Sequence, residues 1–544
     1  MATVAAAGLR AQGRWLNPTS DPGLWWDLIA RIGAGERLYR DIYLQYGPLG
    51  PYLFAAVLKP FGYSAVSFLL LNAVLAVAAG LLLLRLARPY LTTFERLTLT
   101  VLLLGVGILA PGRARLLLSY SPAAVFAVAM GIAGLLLLQG EGAGRAAAAA
   151  AGLFAGIAFA AKQEVGIAAL AALGLPVVLR WRRLGEWGLP CLAGFALPAA
   201  AAAAFAVRAA PLESLRHDSH VWPVGTLPES WQFLFRITGG ITFDLPQRLL
   251  WAAAGVGSAL LFVALVSLLL AGDARVRKGF LFLALAALVA AVAAGFTPLV
   301  GGWDPLCLSL FAAGALFLMA IFGRNLPGRE ALASFAVFAG MVGARAGFSG
   351  GLLWSSYSGL AGLVTAVTWA YLLFLVPTIV PGGRAGALAR RIAAVALLLV
   401  ALPGAVAGVR ALRRPQAVPL DTVRGRVWLD PPFAPFFATL ARELRPGESV
   451  LCVPESNGIE ALYGVRGAAP YMDLMPGWLD ARAEESLIRR FEAAPPDVIV
   501  VFRRPTPEFG VAPFGEGYGE RLAPWITSHY RLAQRSDVGL LFRR

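Results

Sequence analysis

Stretches of about 17 to 25 apolar residues, the length a helix needs to cross a ~30 Å hydrocarbon layer, recur along most of this chain. They run over residues 64–84, 97–112, 121–138, 146–161, 164–180, 187–207, 249–271, 279–296, 305–323, 331–348, 358–381 and 391–410. The pattern predicts twelve spanning helices. Short turns join 146–161 to 164–180 and 279–296 to 305–323, and the alanine run from Ala146 to Ala151 reads as a small-residue packing face.

Charge alternates between the spans. One set of connections holds Arg85, Arg88, Arg96, Arg145, Arg180, Arg182, Arg183, Arg275, Arg277, Lys278, Arg324, Arg329, Arg384, Arg390 and Arg391, whereas the opposite short loops hold only Arg113, Arg115 and Lys162. Basic loops stay in the cytoplasm. Residues 1–63, the loop 208–248 inside the bundle 64–410, and the carboxy-terminal part 411–544 are therefore expected on the outward face. An outward amino terminus calls for export or an earlier spanning helix, and the apolar run Met1 to Gly8 is too short for either. A further helix ahead of it, thirteen spans in all, is expected.

The pattern changes character towards the carboxy terminus. Ser449–Val453 and Asp497–Phe502 are short apolar runs suited to buried strands, while Phe433–Leu444 and Arg482–Ala493 carry helical spacing. The fold class predicted is an α-helical polytopic membrane protein with a C-terminal extracytoplasmic α/β domain. After the first of these strands, Val453-Pro454-Glu455-Ser456-Asn457-Gly458 has neither a dinucleotide fingerprint nor a Walker lysine. Nucleotide-driven pumping is unsupported.

Composition sharpens this picture. With 58% hydrophobic residues, 14% charged residues and a mean hydropathy of +0.69, the chain is neither a soluble enzyme nor intrinsically disordered. The net charge of +16 divides unevenly: residues 421–544 hold 16 acids and 15 arginines, so the surplus lies in the membrane part. Basic residues there meet lipid phosphates at helix ends, and nucleic acid is excluded as a partner. Cys191, Cys307 and Cys452 are too scattered for a disulfide framework or thiolate cluster.

The most distinctive stretch is Ser20-Asp21-Pro22-Gly23-Leu24-Trp25-Trp26-Asp27-Leu28. Asp21 reads as an N-cap with proline at the first helical position, opening an amphipathic helix to about Gly33. Trp25 and Trp26 are expected at the membrane interface. Carboxylates beside tyrosines and arginines at headgroup level suit an enzyme acting on an amphiphilic substrate. For a polyprenyl-phosphate sugar, a carboxylate would take the proton of an incoming hydroxyl and cations would stabilise the departing phosphate.

Two stretches carry a family resemblance. Ala34-Gly35-Glu36-Arg37-Leu38-Tyr39-Arg40-Asp41-Ile42, followed by Tyr46-Gly47-Pro48-Leu49-Gly50-Pro51-Tyr52-Leu53, resembles the first outer loop of bacterial GT-C membrane glycosyltransferases such as the protein O-mannosyltransferases and lipid A aminoarabinose transferases. The small-residue helix ending in Ala161-Lys162-Gln163-Glu164 is similar too. The resemblance implies a polyprenyl-phosphate sugar donor, an acceptor that is protein, lipid or polysaccharide, inversion at the anomeric carbon, and a location in the bacterial cytoplasmic membrane among its lipids.

The resemblance further implies a catalytic aspartate in the first outer loop. Asp21 occupies the matching position, with Asp27 and Asp41 as lesser candidates. Asp21 also reads simply as a helix cap, and Asp41 as a partner of Arg37 or Arg40. Lys162, with Arg113, Arg115 and Arg40, is the candidate set for the donor phosphate, although Lys162 could equally pair with Glu164. Tyr39, Tyr46 and Glu455 are expected on the acceptor side. Several relatives hold a divalent metal with an acid in the next outer loop, but Pro111–Pro122 contains none. No metal-binding residue and no certain cofactor is assigned, a divalent metal being left open. His217-Asp218-Ser219-His220 reads as a solvated loop, and Asp304 as a cap.

Two other classes stay in view: a sugar or lipid flippase, and a noncatalytic envelope assembly protein. A carrier would want internal repeats and charges within spans; Arg345 is the clearest such charge, and no convincing repeat is present.

Overall fold

The computed structural model describes residues 21–108, 121–139, 144–221, 309–322, 326, 328–347, 356–379, 384–411, 416–455, 458–506 and 509–544. Its first part is helical: α1 (Asp21–Gly33), α2 (Leu49–Leu58), α3 (Ala65–Ala87), α4 (Thr93–Leu102), α5 (Pro122–Leu136), α6 (Arg145–Ala161), α7 (Gln163–Leu179), α8 (Gly188–Ala209), α9 (Leu212–His217), α10 (Ser309–Phe322), α11 (Arg329–Gly347), α12 (Ser356–Ile379) and α13 (Arg384–Ala411). Among the described residues, Ala65–Ala87, Pro122–Gln139, Gly188–Ala209 and Gly386–Ala407 are long and apolar enough to cross a membrane, and α6 and α7 are shorter apolar helices. The spans expected at 249–271 and 279–296, and Asp304, lie outside the described residues.

Local chemistry sets several helix starts. The Ser64 hydroxyl accepts from the Ser67 amide at 3.1 Å at the head of α3. Thr92 and Glu95 form a capping box on α4, and Ser121 caps α5 with Pro122 behind it. Each such cap satisfies amides that the first turn leaves open.

Small residues let helices close on each other. A Cβ at Gly152 of α6 would strike the Cys191 carbonyl of α8, the close approach expected of small-residue faces in membrane bundles. The turn at Lys162 reverses α6 into α7, whose 17 residues carry Arg180 about 25 Å away at 1.5 Å per residue. At that far end Arg180 and Arg183 both bind Glu330, at 2.9 and 2.7 Å. Arg390 binds Glu95 at 2.5 Å. Three bases expected on one side thus cluster with acids away from Lys162.

The last part is α/β. A hairpin of β1 (Val418–Thr422) and β2 (Gly425–Leu429) leads through α14 (Ala434–Glu443) to β3 (Ser449–Val453), α15 (Ile459–Tyr463), β4 (Arg466–Gly467), α16 (Ala481–Ala493), β5 (Val498–Phe502), α17 (Leu522–His529), β6 (Arg531–Arg535) and β7 (Gly539–Arg543). The main sheet has the order β4-β3-β5-β7-β6, with β3 parallel to β4 and β5 and with β7 antiparallel to its neighbours. Every residue of β5 is buried, which explains its unbroken apolar run. The predicted strands and helices here fall within a residue or so of those observed. The two hairpins were not legible because their exposed faces carry arginine and proline.

The α1 helix departs from expectation. It packs against α2 on one side and α15 on the other, and Trp25 and Trp26 are fully buried. The tryptophans are protein core, not membrane anchors: the C-terminal domain covers the face that the sequence pattern assigns to lipid.

Candidate active site

Helix α1 starts at Asp21, ends at Gly33 and turns through Gly35, at φ +103°, into the loop 36–48. Tyr39 adopts φ +69°, a left-handed conformation unusual for a side chain with a Cβ. Surrounding bonds hold it there. Its amide donates to the Ile42 carbonyl at 2.7 Å, its hydroxyl donates to the Tyr46 carbonyl at 2.6 Å, and its ring meets Phe205 edge-on. Burial holds its hydroxyl well above the ordinary tyrosine range, so Tyr39 is a neutral donor. Tyr52, also against Phe205, accepts the Leu38 amide at 3.1 Å.

The end of the loop rests on the α6–α7 turn. The Tyr46 ring stacks on Trp25 at 5.8 Å and 15°. Lys162 Nζ lies 3.2 Å from the Tyr46 centroid and 3.3 Å from Glu164 Oε1. Lys162 is fully buried while Glu164 is 40% exposed. Lys162 is in that position because its extended backbone, φ −151° and ψ 102°, separates α6 from α7. Gln163 Nε2 donates to the Gln45 carbonyl at 3.3 Å, and Gly47 lies so close to the Ala160 carbonyl that a Cβ would collide.

The structure therefore joins Lys162, Tyr46 and Tyr39, expected separately from sequence, in one cluster. It also joins Arg40 to Asp41, at 2.7 Å between Nη2 and Oδ2. The Arg40 guanidinium, with the Arg37 amide, holds the Asp41 carboxyl below its ordinary value. Asp41 is thus an ionised, loop-closing acid.

Other candidates fall elsewhere. Asp27 is fully buried and accepts the Ala461 amide at 2.6 Å, an N-terminal bond of α15. Glu455 pairs with Arg504 and sits in a bridge to Asp473. The Asp21 side chain and Arg113 and Arg115 lie outside the described residues, as does the side chain of Arg345. His220 stacks edge-on against Trp478 at 4.4 Å, so the loop read as solvated packs on the C-terminal domain. Among the described residues no three His, Cys, Asp or Glu cluster as a metal site. Sequence reasoning missed Glu36, Arg31 and Glu460, an ionic group between α1, the loop 36–48 and α15. The spacing of Asp27 to Arg31 on α1 was the available signal.

No family profile and no curated protein matches the sequence. Among solved structures the chain is similar to ArnT from Cupriavidus metallidurans bound to undecaprenyl phosphate, with a TM-score of 0.51 and 14% identity over 99% of this chain and 97% of that one. The chain shares the fold of that structure. The archaeal oligosaccharyltransferase AglB from Archaeoglobus fulgidus, in complex with an inhibitory peptide and a dolichol-phosphate, matches over 92% of this chain and 69% of that chain, at a TM-score of 0.44 and 13% identity. The loop 36–48, the Lys162 turn and the C-terminal domain meet at one end of the helices, through Tyr46, Gln163 and the Tyr43–Tyr471 bridge.

Proposed function

We propose that the protein is an integral membrane glycosyltransferase, moving a sugar from a polyprenyl-phosphate donor to an acceptor hydroxyl on the outer face of the cytoplasmic membrane. The observation that carries this reading is the buried ammonium of Lys162 beneath Tyr46, on a fold shared in full length with the undecaprenyl phosphate-bound ArnT. A buried cation at the mouth of an apolar bundle is costly unless it is compensated. Glu164 and the Tyr46 ring compensate it here, and a lipid phosphate would do so more strongly.

In the proposed reaction the acceptor oxygen attacks the anomeric carbon from the face opposite the phosphate. Its proton passes to the Asp21 carboxylate, and the carbon–oxygen bond to the phosphate breaks with its electron pair, leaving polyprenyl phosphate and an inverted glycoside. Lys162 receives the phosphate, joined by Arg113, Arg115 and Arg40. Tyr39 and Tyr46 are assigned to the acceptor side, while Glu455, paired with Arg504, is assigned to the C-terminal domain. Asp41 is the second candidate base, while the Asp27 carboxylate is engaged by the Ala461 amide and is assigned to the interface. No step is routed through a metal.

The test uses purified full-length protein in nanodiscs, a panel of undecaprenyl-phosphate-linked sugars and an envelope extract as acceptor, with released undecaprenyl phosphate as readout. Asp21→Asn should lower release by about 10² to 10⁴-fold, the worth of a general base, while leaving undecaprenyl phosphate binding intact. Normal turnover in that variant would favour the assembly-protein reading; donor binding only from the cytoplasmic leaflet would favour a flippase.

A further inference from the structure

Arg31 is 5% exposed, yet its guanidinium reaches three separate parts of the chain. Nε and Nη2 donate to Glu36 Oε2 at 2.9 and 2.7 Å. Nη2 also donates to the carbonyl oxygens of Asp41 at 3.3 Å and Ala469 at 3.2 Å. Nη1 lies 3.5 Å from Met472 Sδ, and Glu460 Oε2 is 3.3 Å from Nε. Glu36 and Asp41 belong to the outer loop; Glu460, Ala469 and Met472 belong to the C-terminal domain.

The C-terminal domain is shaped for this group. A Cβ on Gly467 would strike Glu460 Oε1 and approach Arg31 Nη1 to 2.9 Å, so the glycine leaves the slot that the ion pair fills. Beside the slot, the Tyr43 amide donates to the Pro470 carbonyl at 2.7 Å and the Tyr43 and Tyr471 rings meet edge-on at 4.9 Å. The loop is thus tied down at Glu36, Asp41 and Tyr43, just ahead of Tyr46.

We infer that Arg31 is the positioning residue of the first outer loop, tying it to the C-terminal domain so that the Tyr46 ring stays over Lys162. The geometry stands alone; the consequence for donor binding rests on the glycosyltransferase reading. A guanidinium suits the task because its planar fork can serve several acceptors at once, whereas a lysine ammonium is a point charge on a flexible stem. A side chain that merely filled space would be replaceable by one of similar volume.

The experiment compares full-length wild type with Arg31→Met, Arg31→Lys, Gly467→Ala and, as control, Arg489→Ala, which removes an exposed helix pair. Hydrogen exchange over residues 37–43 and affinity for undecaprenyl phosphate are the two readouts. Arg31→Met and Gly467→Ala should each speed exchange in that segment and weaken affinity by about tenfold, a loss of ~1.4 kcal/mol. Arg31→Lys should recover part of both, the control should match wild type, and the double variant should be no worse than Arg31→Met. Unchanged exchange and affinity in Gly467→Ala and Arg31→Met would overturn the inference, and Gly467→Ala alone decides if Arg31→Met does not fold. Wild type that fails to bind undecaprenyl phosphate would sink the glycosyltransferase reading, leaving loop exchange to judge Arg31.

Discussion

Lys162 Nζ lies 3.2 Å from the centroid of the Tyr46 ring, so an ammonium buried between two apolar helices is faced by an aromatic from a loop 116 positions earlier. Glu164 Oε1 lies 3.3 Å from the same nitrogen. This contact couples the loop 36–48 to the turn between α6 and α7.

Tyr46 should accordingly tolerate Phe and not Leu. Tyr46→Phe keeps the aromatic face, and unfolding of the purified protein should change little. Tyr46→Leu removes both the face and the Trp25 stack, costing about 1 to 3 kcal/mol from a desolvated cation–π contact and an aromatic pair. Thermal unfolding of the three proteins in one detergent measures this.

The first two aspartates of α1 should separate by phenotype. Asp27→Asn disturbs a buried carboxylate bonded to the Ala461 amide and should cost roughly 1 to 3 kcal/mol of stability, with turnover per folded molecule near wild type. Asp21→Asn should do the reverse. Parallel unfolding curves and undecaprenyl phosphate release decide, and equal turnover losses would contradict the division.

At the far end of the bundle, Glu95 is 4% exposed and takes Arg390 through both oxygens while capping the Thr92 amide. Arg390→Met should destabilise by about 3 kcal/mol, because a buried carboxylate loses its partner. Adding Glu95→Gln should restore part of that loss. A double variant as unstable as the sum of the singles would show that the two groups do not interact.

Glu460 makes stability depend on pH. Burial raises its folded-state pKa, with Arg31 opposing and Glu36 adding to the rise. The folded form therefore holds a proton that the unfolded form has already released above its ordinary value near ~4.3. This contribution is complete below that value and is lost as pH rises through the raised one. Glu460→Gln should flatten this part of the profile; a wild-type profile identical to that of the variant would refute it.

How much of this was legible in the chain follows from range. Helix-length apolar runs and the Asp21-Pro22 start report on neighbours in sequence, so apolar helices and the extent of α1 could be read directly. The strands β3 and β5 were legible for the same reason: full burial leaves an uninterrupted apolar run. Lys162, Tyr39 and Tyr46 were each singled out by type and by family resemblance. Their union was not visible, because it depends on the packing of a loop against a helix turn more than a hundred residues away.

Only tertiary structure decided what covers α1. An amphipathic pattern records that one face avoids water and is silent on whether lipid or protein takes its place; here α15 and Gly467 supply protein. The same holds for Arg31 and Glu460, 429 positions apart. Alone, each reads as a surface charge, and the energy that buries them exists only when both are brought into one slot.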